Sequence, residues 1–172
     1  TDLALELLPY FTDGRITSME GLYFESSGTT PFHFLMTAKL AAEPSNPVRF
    51  PDDSEVVYGP NAVNGTAQTF DHGVRQAQAF GVRYLMLTSE EAIARADAHA
   101  SLSLVAEIDD RDDAAPDGWR IYEVADASLV SGLPYEPVVL DDVTPADWLE
   151  PAALWWEDPT ALDRPLAADG PP

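Results

Sequence analysis

Residues 70–92, FDHGVRQAQAFGVRYLMLTSEEA, contain a helix, a stop, a strand and the start of a second helix. Phe70, Val74 and Ala77 recur at helical spacing and form one inward apolar stripe. Thr69 is placed to cap this helix, and Gly81 supplies the left-handed conformation that ends one. Residues 82–87 are then a short apolar run of strand length, which packing must cover. Thr88 followed by Glu91 matches a capping box, so a second helix is predicted from there to about His99.

Upstream, Thr30 as cap and Pro31 in the first turn open another predicted helix, with Phe32, Leu35, Met36 and Leu40 on one face. The turn-rich EPSNP at 43–47 ends it. Residues 16–25, ITSMEGLYFE, read as a strand broken at Gly21. Residues 44–66 carry turn clusters around PSNP, PDD, YGPN and NG, with at most a short strand at 56–58. Downstream, residues 101–108 alternate so that Leu102, Leu104, Ala106 and Ile108 share a face. The loop DDRDDAAPDG leads to a strand over 119–124, predicting an antiparallel hairpin with an acidic tip. This order predicts an α+β fold, a mixed or antiparallel sheet of about four to five strands packed with three to four helices. Residues 1–140 are predicted to form a single α+β domain. Residues 141–158 are predicted as a short helical extension, starting at Thr144-Pro145 and carrying Trp148, Leu149 and Trp155 onto the core. The Pro-rich segment 159–172 is expected to be a loose or disordered tail.

The chain has 172 residues, 45% hydrophobic and 23% charged, enough for one globular domain. Its formal net charge is -21, from 30 acidic residues against 9 basic ones, and Lys39 is the sole lysine. Nucleic acid and anionic membrane surfaces are poor partners, because both need clustered Lys and Arg. Neutral sugars, cations and basic partners remain compatible. There is no cysteine, which removes disulfides, thiolate catalysis and zinc–thiolate sites. No apolar run reaches membrane-spanning length, and no signal segment opens the chain. The abrupt apolar start TDLALELLPYF is expected of a fragment from a longer protein.

Three stretches carry a family resemblance: GLYFESSGTTPFHFL at 21–35, DHGVRQAQAFGVRYLML at 71–87 and GWRIYEVADASLVSGLPYEPVV at 118–139. They resemble the extracytoplasmic soluble region of large actinobacterial polytopic membrane proteins described as 6-pyruvoyl-tetrahydropterin synthase-related, which are similar to membrane glycosyltransferases of the lipid-phosphosugar type. The pairing of GVRYLML with WRIYEV is also similar to the extracellular part of YfhO-like membrane proteins. The resemblance covers residues 9–140 as separate words. It implies a cell-envelope domain on the extracytoplasmic face of the membrane, with its own transmembrane region as partner. It implies too that glycosyl transfer occurs on membrane-proximal loops of the parent, leaving this domain non-catalytic. Pterin-synthase chemistry needs a cluster of histidines on zinc, and the chain has only His33, His72 and His99, with no HxH pair.

Candidate ligand-binding residues are Glu20, Tyr23, Glu25, His33, Asp71 and His72. Glu20, Tyr23 and Glu25 place two carboxylates and an aromatic ring together, the groups that hold a sugar's hydroxyls and its apolar face. The plainer alternative is a strand leading to a capped helix start. Asp71 suits the helix dipole of its first turn. A metal site from His33, His72 and a nearby Glu requires two helix starts to converge, against the plainer alternative of core-edge histidines. His99, at the end of a helix, suits that dipole and needs no further role. Asp109, Asp110, Asp112 and Asp113 around Arg111 lack the glycine and terminal glutamate of a calcium loop and read as a solvated tip. Asn64-Gly65-Thr66 matches a glycosylation acceptor but is first a turn signal. No GxSxG, GxGxxG or phosphate-binding loop occurs, and no metal or cofactor is expected.

The expected function is a non-catalytic extracytoplasmic domain of a glycosyltransferase-like membrane protein that binds glycan or positions an acceptor. The alternatives are a self-contained acid–base hydrolase using Glu20, Glu25 or Asp71 with His33, and a docking module for its own transmembrane region.

Overall fold

The computed structural model describes residues 8–17, 30–41, 48–49, 55–56, 67–109, 118–144 and 147–168. Their order is α1 (Leu8–Phe11), α2 (Thr30–Ala41), β1 (Val48–Arg49), β2 (Glu55–Val56), α3 (Ala67–Ala79), β3 (Tyr84–Leu87), α4 (Glu90–Asp97), β4 (Leu102–Ile108), β5 (Trp119–Val124), β6 (Val138–Leu140), α5 (Leu149–Glu157) and β7 (Leu166–Ala168). The fold is α+β. An antiparallel three-stranded sheet has the order β3-β5-β4, with two separate two-stranded ribbons, β1-β2 antiparallel and β6-β7 parallel.

Gly81 ends α3 as expected. Its φ is 68°, its N–H donates to the Gln78 carbonyl (2.9 Å), and the Val82 N–H donates to the Ala77 carbonyl (2.8 Å). These two bonds are a Schellman motif, which satisfies carbonyls left over at a helix end. The predicted caps on either side are displaced. α3 already includes Thr69, so that residue is not its cap. At α4 the extended residue is Ser89, whose hydroxyl accepts from the Ala92 N–H at 3.3 Å. Glu91 instead pairs with Arg95 one turn on, and α4 ends at Asp97 rather than near His99.

β3 is half-buried, not covered on both faces. Leu85 and Leu87 enter the core while Tyr84 and Met86 face outward, because the described helices pack on one side of the sheet. β4 departs from strict alternation. Leu104 lies opposite Tyr122, but Ala106 lies opposite Ile121, so a bulge at Val105 turns Ala106 and Ile108 to the other face from Leu102 and Leu104.

The core joins Leu35, Met36 and Leu40 of α2, Phe70, Val74 and Ala77 of α3, Tyr122 and Val124 of β5, and Trp156 of α5. α2 is buried almost all round, since it contacts α3, α4 and α5 at once. Gly73 allows the close approach of α3: a Cβ there would stand 3.1 Å from Leu40 and 3.2 Å from Lys39 Cβ. α5 begins at Leu149, not Thr144, and presents Trp156 to the core with Trp155 only half-buried. Trp155 Nε1–H donates to the carbonyls of Ala161 (3.0 Å) and Arg164 (2.9 Å). Arg75 binds the Pro159 carbonyl and the Asp163 carboxylate. The first part of the expected loose tail is thereby tied down and ends in β7 beside β6. Among the described residues no helix is long and apolar enough to cross a membrane.

Candidate functional site

Glu20, Tyr23 and Glu25 lie outside the described residues. His33 is buried in the first turn of α2, where burial holds its pKa below the ordinary value. Asp71 is exposed on α3, and its carboxylate meets His99 Nε2 at 3.0 Å. The Ser101 N–H donates to His99 Nδ1 at 3.1 Å, so Nδ1 is the acceptor and Nε2–H donates to Asp71. Beyond the predicted dipole role, His99 therefore clasps α3 to the turn between α4 and β4. Among the described residues, no group of three or more His, Asp or Glu is arranged to hold a metal ion.

His72 is buried beside a polar junction of α2, α3 and α5 that the sequence did not single out. Lys39 Nζ donates to Glu157 Oε1 (2.6 Å) and to the Leu35 carbonyl (3.2 Å). Gln76 Nε2 donates to the Trp156 carbonyl (2.7 Å), and Trp156 Nε1–H donates to the Phe32 carbonyl (3.0 Å). Burial lowers the Lys39 pKa, and Glu157 opposes that shift. Burial, reinforced by the Lys39 and Arg75 charges, pushes His72 down to about 4. A lysine with a depressed pKa beside a carboxylate suits base or nucleophile chemistry. Access decides against it here. The Lys39 side chain is 3% exposed and Glu157 closes the outer end, so this pair staples α5 onto α2.

The surface opens at the end of the three-stranded sheet. A cavity of about 300 Å³ is lined by Arg83, Ser103, Glu123 and residues 124–127. Antiparallel register sets Glu123 of β5 between Tyr84 of β3 and Ser103 of β4. Arg83 donates from Nε (3.2 Å) and Nη2 (3.1 Å) to Glu123 Oε1, and its guanidinium lies 5.3 Å from the Tyr84 ring centroid. Glu123 Oε2, Arg83 Nη1, the Ser103 hydroxyl and the Asp126 carboxylate make no hydrogen bond among the described residues.

The floor of this cavity is fixed. Gln78 Nε2 donates to the Ala125 carbonyl (2.8 Å), and the Ala125 N–H donates to the Ser101 carbonyl (2.8 Å). Asp126 holds a left-handed φ of 59°, and the next residues lie against Gly81, where a Cβ would meet the Ser128 carbonyl at 2.9 Å. None of these groups stood out in the sequence. The alternation of 119–124 puts Glu123 on one face, but strand pairing alone brings Tyr84 and Ser103 beside it. No family model matches the chain, and neither curated proteins nor solved structures provide a match.

Proposed function

We propose that this chain is a non-catalytic extracytoplasmic domain of a larger, glycosyltransferase-like integral membrane protein, where it binds a glycan or positions an acceptor. One observation carries the non-catalytic part. Lys39 and His72, whose ionisation is displaced, are sealed in the helix junction, whereas the open cavity offers an ion pair, a hydroxyl and a carboxylate. That set holds a polar ligand and contains no activated nucleophile. The envelope location rests on the resemblance of residues 21–35, 71–87 and 118–139, and the net charge of -21 suits an uncharged glycan.

A hydrolase is less well supported. Asp71 is committed to His99, and His33 is buried in α2. A second reading, docking on the parent's transmembrane region, is favoured by Leu129 and Val130, which are 89% and 87% exposed. The test is an assay of the isolated chain with nitrophenyl glycosides and polyprenyl-phosphate sugars over acid to alkaline pH. No product above buffer is expected. Turnover that Glu123→Gln or Asp126→Asn abolishes would contradict the proposal.

A further inference from the structure

We infer that the cavity at the end of the β3-β5-β4 sheet is a subsite for one neutral sugar unit, with Arg83, Ser103, Glu123 and Asp126 as its hydrogen-bonding rim and the neighbouring Tyr84 as an adjoining platform. This rests on the glycan-binding function proposed above and gives it a place and a ligand class. The volume, about 300 Å³, is at the lower end of small-molecule sites and suits one ring rather than a long chain.

The lining decides the chemistry. Its uncommitted groups include acceptors on Glu123 and Asp126, a donor on Arg83 and a hydroxyl on Ser103 that does both. Neighbouring sugar hydroxyls also donate and accept, so this mixed rim matches them. Tyr84, 41% exposed, stands in the same cross-strand row as Glu123 and Ser103, just outside the cavity lining and with the Arg83 guanidinium over its ring, so its apolar face meets a sugar ring only when Arg83 turns to the ligand. The Arg83–Glu123 pair is solvent-exposed and contributes little to stability, so its members can turn to a ligand at small cost.

Charge narrows the class. The rim has one cation, Arg83, against two carboxylates, Glu123 and Asp126, within a chain of net charge -21. Phosphorylated sugars and uronates are repelled, and neutral sugars are not. The site is also built in advance. The turn under it is pinned to α3 through Gln78 and to the β4 side through Ser101, so binding orders little backbone. Asp126 keeps its left-handed backbone at the rim, a conformation that is retained at ligand sites more often than elsewhere.

The experiment titrates the isotope-labelled chain by NMR with neutral hexasaccharides of glucose, mannose, galactose and arabinose, and with hexagalacturonate as the anionic control. At least one neutral oligomer should shift the amides of residues 83–84, 103 and 123–127 saturably. Tyr84→Ala and Asp126→Asn should each weaken that binding about tenfold or more while the Trp156 indole signal, a reporter of the core, stays in place. Saturable shifts confined to other residues would overturn the subsite and leave glycan binding standing. No saturable shift with any neutral oligomer overturns the subsite, while the turnover assay separately decides the non-catalytic reading. Tighter binding of the uronate overturns the neutral class.

Discussion

Lys39 sits where an apolar side chain would also pack, and Glu157 is what keeps its charge tolerable there. Lys39→Ala leaves that carboxylate facing a buried gap, so a loss of about 3–5 kcal/mol is expected from urea unfolding. Replacing both partners at once, Lys39→Met with Glu157→Leu, should lose far less, because the buried charges leave together. His72 makes a second prediction. Its imidazole has an ordinary pKa of 6.5 in the unfolded chain and about 4 in the fold. Between those values the unfolded chain holds the extra proton, so stability is fully present above about pH 6.5 and is lost as pH falls toward 4. The largest loss from this one group is about 3 kcal/mol. His72→Leu should flatten that part of the urea-midpoint profile, and an unchanged slope would assign the acid sensitivity elsewhere.

At the scale of elements, the caps separate what was legible from what was not. Both Thr88 and Ser89 are good capping residues, and only the extended backbone at Ser89 shows which of them acts. Ser89→Ala should therefore lose about 1 kcal/mol in thermal unfolding, and Thr88→Ala much less. Gly81→Ala needs a left-handed alanine and a Cβ 2.9 Å from the Ser128 carbonyl, so it should lose more than about 1 kcal/mol. Helical spacing at Phe70, Val74 and Ala77 and the hairpin over 102–124 were readable because each follows a local period. The bulge at Val105 was not, since one extra residue leaves no mark in a strand of mixed Leu, Val and Ala. Nor was the central place of β5, which is set by long-range pairing. The cavity depends on both, which explains why Arg83, Ser103, Glu123 and Asp126 carry no local signal of a site, whereas Glu20, Tyr23 and Glu25 lie close together in the sequence.

For the molecule as a whole, a net charge of -21 opposes compaction by self-repulsion. Added sodium chloride should raise the thermal midpoint of the isolated chain, and a midpoint that falls with salt would mean that attractive surface pairs dominate instead. The same charge disfavours polyanionic ligands and is compatible with the uncharged glycan proposed above. Among the described residues no helix covers one face of the three-stranded sheet, which carries Tyr84, Met86 and Ile108, and Leu129 and Val130 are exposed beyond β5. These are surfaces suited to contact with a larger assembly. The most direct measurement is fractionation of the native cells with an antibody raised against this chain, with and without protease added outside intact cells. The account predicts a membrane-bound band much larger than 172 residues that external protease trims. A protease-resistant band in the soluble cytoplasmic fraction, no larger than the chain itself, would contradict it.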